Sequence, residues 1–423
     1  MRSQFQSSKL VTALLLGLTV VAGWAQSDFQ GAMHPVPFNE APIEYEKQKS
    51  SGPISRLEAR IASGETKLKY DPVLGWLPAL LEELGVSHKS QMLVFSKTSL
   101  QRSYISPRNP RALYFNDEMY IGWIPGAPVM EISEVDPLLG TVFYDLDNLD
   151  RDRPRFKQNT QCLNCHSSAR SMGVPGHVLR SIGTDEAGEP DQMTAASEVN
   201  HRTPLADRWA GWYVTGSAGE QTHRGNCAGP DAVAAKERNR TSLDDLVNLE
   251  GYLRKDSDMV AMLVHDHQTH MHNFITRLNF ETRIMMHRYG HIRYLRHQVD
   301  AFLRYLTFAE ETELAGPVVG TSGFAEEFAD RGPKDSTGRS LRDLDLKSRL
   351  FQYPCSYVIY TPSFDAIPEV MREHVLERLH AILSGEDDTE AYQRISPRAK
   401  EAALEILRET KKNLPDYWRV TSN

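Results

Sequence analysis

Along the chain the hydrophobic pattern changes period. Between about residues 91 and 145, short apolar runs rich in aromatic and β-branched side chains recur at 92–95, 112–115, 119–124, 129–132 and 141–144. Pro, Asn, Asp and Gly fill the gaps, so these runs predict antiparallel strands, and Asn116-Asp117 between two of them predicts a tight hairpin. A short helix is expected at 54–63, ended by Gly64. Beyond residue 240 the pattern is helical. Over 257–287, at 100° per residue, Met259, Val260, Leu263, Val264, Met271, Phe274, Ile275 and Leu278 share one apolar arc. His267 falls in the middle of that arc and His270 at its edge, while His265 and His272 point the other way. Two later helices are expected to start at Pro368, with Gly385 after it, and at Pro397 behind Ser396.

The fold class expected is α+β: an antiparallel β-rich N-terminal part over 26–149, a loop-and-helix segment over 150–235, and an α-helical C-terminal half over 236–423. The first 25 residues read differently. Arg2 and Lys9 precede an apolar run from Leu10 to Val21, and Gly23-Trp24-Ala25 supplies small residues at a cleavage point before Gln26. This predicts a signal peptide at 1–25 and a mature chain that is periplasmic or secreted. No other stretch approaches 18 uninterrupted apolar residues, so stable membrane insertion is not expected.

The 48 Lys and Arg against 56 Asp and Glu give a formal charge of -8. Without Arg2 and Lys9 the balance is 46 against 56, or -10. A mildly acidic protein is a poor match for nucleic acid and permits docking to a basic redox protein.

The chemistry is concentrated at Cys162-Leu163-Asn164-Cys165-His166. Cys-x-x-Cys-His is the attachment pattern of haem c: two thiols one helical turn apart meet the two vinyl groups on one porphyrin edge, and the adjacent histidine reaches the iron. Two other readings compete. A thiol redox motif should open a helix after an apolar strand, whereas residues 155–161 are polar and irregular. Zinc fits better, with His223 and Cys227 as a second ligand pair, but it leaves His166 without a role. The remaining cysteines, Cys227 and Cys355, could pair in an oxidising compartment if the fold brings them together.

For the sixth iron position the candidates are His223 and His267, ahead of Met172, His177 and Met193. Met172 and His177 follow the motif so closely that looping over the opposite porphyrin face is difficult. Trp209, Trp212 and Tyr213 read as core or as pocket wall, and Arg155, Arg170, Arg180 or Arg208 could meet the haem propionates.

With these residues in view, the chain resembles a group of large secreted bacterial proteins of the c-type cytochrome class. The resemblance runs through 96–99, 105–107, 114–117, 135–137, the motif at 162–166, Gly173-Val174-Pro175-Gly176-His177, 212–216, His267-Gln268, 271–273 and 354–356. It implies one covalent haem c and no particular reaction. A second Cys-x-x-Cys-His, which di-haem peroxidases carry, is absent from the sequence. The leading expectation is a monohaem electron-transfer protein with a periplasmic redox partner. The alternatives are a haem enzyme, peroxidase- or oxidoreductase-like, with an open or displaceable sixth position served by His223, His267 or His272, and a zinc-stabilised module without haem.

Overall fold

The computed structural model describes residues 35–191, 197–234 and 236–419. The signal peptide expected at 1–25 and the candidate Met193 lie outside them.

Seven strands form one antiparallel sheet: β1 (Met92–Val94), β2 (Arg111–Phe115), β3 (Met119–Trp123), β4 (Val129–Asp136), β5 (Gly140–Asp147), β6 (Phe156–Gln158) and β9 (Trp212–Tyr213). Their order is β6-β5-β4-β3-β2-β1-β9. The β2–β3 hairpin turns at Asn116, whose Oδ1 accepts the backbone N–H groups of Glu118 and Met119 at 3.0 and 2.9 Å. The strand β7 (Arg180–Ser181) pairs separately with β8 (Ser197–Glu198), placing Arg180 opposite Glu198.

Both faces of the sheet are covered, and the two-residue alternation sorts its side chains between two cores. Leu93, Phe95, Tyr114, Met119, Ile121 and Trp123 face α1 (Pro53–Ser63) and α2 (Leu77–Glu83). Met92, Val94, Phe115, Tyr120 and Val135 face the helical layer. A sheet covered on both sides keeps no polar face, which is why its runs read as apolar throughout.

The short α3 (Leu163–His166) carries the motif. At the centre of the helical layer is α4 (Met259–Tyr289), 31 residues long. Asp258 starts it by accepting the N–H groups of Val260 and Ala261, each at 2.9 Å, and Gly290, at φ 68°, ends it. Around it lie α5 (Arg296–Leu306), α6 (Phe324–Asp330), α7 (Pro362–Asp365), α8 (Glu369–Ser384) and α9 (Pro397–Thr410). Every residue of α4 from Met259 to Thr282 is buried, so the apolar arc expected from its sequence is only the side that meets α5 and the C-terminal helices. The other side meets the sheet and the motif segment with His265, Gln268, His272 and Thr276. No helix among the described residues is long and apolar enough to cross a membrane.

Candidate functional site

The motif begins where β6 leaves the edge of the sheet. Asn159 fixes this point three ways: its N–H donates to the Phe143 carbonyl at 2.9 Å, its Nδ2 to Asp145 at 2.8 Å, and its Oδ1 caps the first turn by accepting the Gln161 N–H at 2.9 Å. One helical turn, 160–162 continuing into α3, then carries both cysteines. Cys162 is half-buried against the core, and burial pushes its thiol up to about 12. Cys165 is exposed, and both thiols are free.

His166 ends that turn, and Gly176 engages it twice. The Gly176 N–H donates to the His166 carbonyl at 2.8 Å, and the Gly176 carbonyl accepts from His166 Nδ1 at 3.0 Å. A carbonyl can only accept, so Nδ1 carries the ring proton and Nε2 keeps its lone pair. Burial lowers the His166 pKa, which keeps the imidazole neutral. Among the described residues Nε2 meets no hydrogen-bond partner, nor is it sealed away from solvent.

The loop that presents Gly176 is held from three sides. Pro175 O accepts the Thr141 N–H of β5 at 3.1 Å, and Met172 O accepts from Arg277 of α4 at 2.7 Å. Asn273 of α4 bonds both backbone groups of His177, accepting its N–H at 2.9 Å and donating to its carbonyl at 2.7 Å. A methyl group on Gly176 would lie 2.2 Å from Asn273 Oδ1, so glycine is what lets the loop approach the helix this closely.

The residues present fit a covalently attached haem c. Two unpaired thiols stand one turn apart, the outer one open to solvent, and the next residue is a neutral imidazole with Nδ1 anchored and Nε2 available. The zinc alternative is not assembled, because among the described residues no three His, Cys, Asp or Glu side chains converge on a metal-holding geometry. Cys227 and Cys355 are both free rather than paired, and Cys355 is buried in the helical core.

The histidines named for the sixth position lie elsewhere. His223 is buried with its ring 5.4 Å from that of Trp209, and its Nδ1 accepts the Gly225 N–H at 3.1 Å. Burial lowers its pKa to about 4. His267 faces α5. Its Nδ1 meets His201 Nδ1 at 2.8 Å, its Nε2 meets Ser356 Oγ at 2.7 Å, and its ring stacks on Tyr305. With both nitrogens engaged, it has no ring nitrogen free for an iron unless one of these contacts breaks.

The histidine that shares a neighbour with His166 is His177, which the sequence reading set behind the others. Phe143 packs between them, with ring centroids 4.8 Å from His166 and 6.2 Å from His177. His177 also lies 4.0 Å from the Tyr120 ring and meets Ser133 Oγ at 2.9 Å. Tyr120 in turn joins a buried chain that no spacing in the sequence announces. Tyr357 donates to Gln268 Oε1 at 2.5 Å, Gln268 Nε2 to the Tyr120 hydroxyl at 2.7 Å, and that hydroxyl meets His272 Nδ1 at 3.1 Å. The aromatic residues split as well: Trp209 is fully buried and donates to Asp266 at 3.1 Å, while Trp212 and Tyr213 form the edge strand β9.

A scan against protein-family models, a search of curated proteins and a search of solved structures each return no match to this chain.

Proposed function

We propose that this protein is a monohaem c-type cytochrome that carries electrons outside the cytoplasm. Cys162 and Cys165 attach the haem, His166 is its proximal ligand, and a periplasmic redox protein is the partner. The observation that carries the reading is the pair of hydrogen bonds between Gly176 and His166: the Gly176 carbonyl accepts from Nδ1, which fixes the tautomer and leaves Nε2 free to ligate, and the Gly176 N–H holds the His166 backbone. When bound, the haem supplies a one-electron centre alternating between ferrous and ferric iron. The chain's own part is positional. The Asn159 cap and the packing of Cys162 hold the attachment turn against β5, and the exposed Cys165 leaves one edge of the site facing solvent, where a partner can approach.

The test is expression with and without a c-type haem assembly system, followed by denaturing electrophoresis with haem staining and by optical spectra. Wild type should retain haem through denaturation, and the Cys162→Ala, Cys165→Ala double variant should lose it. Covalent haem in the double variant, or none in wild type matured with the assembly system, overturns the reading. Low-spin bands indifferent to cyanide would identify a carrier, whereas high-spin bands that shift with cyanide would point to a haem enzyme.

A further inference from the structure

The end of α4 and the loop into α5 are basic and aromatic. The 18 residues from Thr282 to Val299 hold four arginines and three histidines and no Asp, Glu or Lys, in a chain whose formal charge is -8. Arg283 is committed within the fold, donating to the carbonyls of Leu138 and Pro42 at 2.8 and 3.0 Å. Arg288, Arg293 and Arg296 are exposed, and among the described residues none of them meets a carboxylate. Tyr289 and Tyr294 stand between these cations, 56% and 67% exposed, with ring centroids 5.8 Å apart.

The neighbouring α8 carries the opposite charge. Glu369, Glu373 and Glu377 recur every four residues, so they share one face of the helix, and all three are exposed. Among the described residues Glu369 and Glu373 meet no cation, and Glu377 meets His374 at 3.7 Å. The basic loop and the acidic face border one surface groove: Ile292 of the loop lines it together with Val370, Glu373 and Glu377 of α8 and with Tyr417. An adjoining groove that shares His374 is lined by Arg296 and His297. Val370 and Tyr417 are exposed, so apolar side chains also lie open to water along the groove.

Opposite charges on the two sides of one groove, unpaired within the molecule, match a partner that presents the same two strips in reverse order. Exposed surface rich in Tyr and Arg and free of Lys, Asp and Glu is also the kind that protein interfaces bury. A two-fold axis through the groove supplies both features with a second copy, because the basic loop of each chain then lies on α8 of the other. We propose that this protein forms a two-fold symmetric dimer through this groove, the loop carrying Arg293 and Arg296 of one copy seated on the Glu369 and Glu373 face of its partner. The proposal needs no haem and stands apart from the proposed function.

Sedimentation velocity of the purified protein tests it. Wild type should be dimeric at about 10 µM. Arg293→Glu with Arg296→Glu makes the loop acidic like α8, and Glu369→Arg with Glu373→Arg makes α8 basic like the loop. Each double variant should be monomeric, its dissociation constant raised at least about a hundredfold by like charges on both halves of the interface. Mixed in equal amounts, the two variants should dimerise again, since each loop then meets a helix of opposite charge. A wild type that stays monomeric at about 50 µM overturns the proposal. A dimer that survives either double variant also overturns it, because another face would then hold the copies together. So do two monomeric variants that remain monomeric when mixed. If either double variant misfolds by circular dichroism, Tyr294→Ser carries the same expectation of a monomer, and a dimeric Tyr294→Ser protein overturns the proposal.

Discussion

The contact between Gly176 and Asn273 offers a test of how His166 is held. Replacing Gly176 by Ala puts a methyl group 2.2 Å from Asn273 Oδ1, 2.8 Å from its Cγ and 3.3 Å from Ser171 Cβ. Asn273 cannot swing aside freely, since its amide holds the His177 N–H and carbonyl at 2.9 and 2.7 Å. Overpacking costs about 1–3 kcal/mol, and strained or broken hydrogen bonds add about 1 kcal/mol each, so Gly176→Ala should destabilise by about 2–4 kcal/mol. Asn273→Ala loses the same two bonds without a clash and should cost about 2–3 kcal/mol. In the double variant the methyl group occupies the space the amide vacated, so its cost should match Asn273→Ala alone, a coupling as large as the Gly176→Ala cost itself, about 2–4 kcal/mol. Urea unfolding at fixed pH measures all four proteins, with m unchanged as the check on comparability. Costs that add to within about 0.5 kcal/mol would refute the argument, because the two positions would then not share one constraint.

Other consequences follow from buried charge. Arg208→Leu strips the partner from Asp266, of which 1% of the side chain is exposed, and should destabilise by about 3–5 kcal/mol, more than Asp266→Asn. Thermal unfolding distinguishes the two, and equal costs would contradict the assignment. Acid should unfold the protein. Burial lowers the pKa of His177, His201, His223, His265, His267, His270 and His272, so each stays neutral when folded and takes up a proton when unfolded. Their stabilisation is present above about pH 6.5 and is lost as pH falls toward 4. Asp266 and Glu311, pushed up to about 7 by burial, act in the opposite sense over the same range. The buried histidines outnumber these two carboxylates, and each group in excess is worth about 1.4 kcal/mol per pH unit against a typical total stability of about 5–15 kcal/mol. Circular dichroism against pH should show unfolding between about pH 6 and 4, and a fully folded protein at pH 4 would contradict the count.

Much of this architecture could be read in advance because local signals and the final packing agree. The five runs at 92–144 became β1 to β5, and the Ser396-Pro397 and Pro368 signals fall at the starts of α9 and α8. β6 was missed because Phe156–Gln158 holds a single apolar residue before Lys157 and Gln158, and its pairing with β5 makes it a strand. Cys162, Cys165 and His166 stood out in the sequence because the attachment expected of them would need a fixed spacing, whereas Gly176 did not, since its two hydrogen bonds with His166 come from a loop closing back on the motif. Reading α4 by hydrophobic arc placed His267 toward a core and His272 toward another surface, and both orientations hold. The arc could not show that the second surface is also buried, because its partners, Tyr120 and Tyr357, lie 152 residues before and 85 residues after His272 in the chain.

The placement of α4 also constrains the order in which the molecule can be assembled. Its polar side chains need acceptors and donors made both long before and long after it: Gln268 bonds Asn116 and Tyr120 on one side and Tyr357 on the other, and His267 requires Ser356. An intermediate ending at about residue 300 would hold this helix with half of those groups unmet, a state whose desolvation cost opposes early closure. Folding therefore waits for nearly the whole polypeptide, and these distant pairings make it slow. A chain whose central helix is satisfied only by groups in its last third is expected to close late, after most of it has been made.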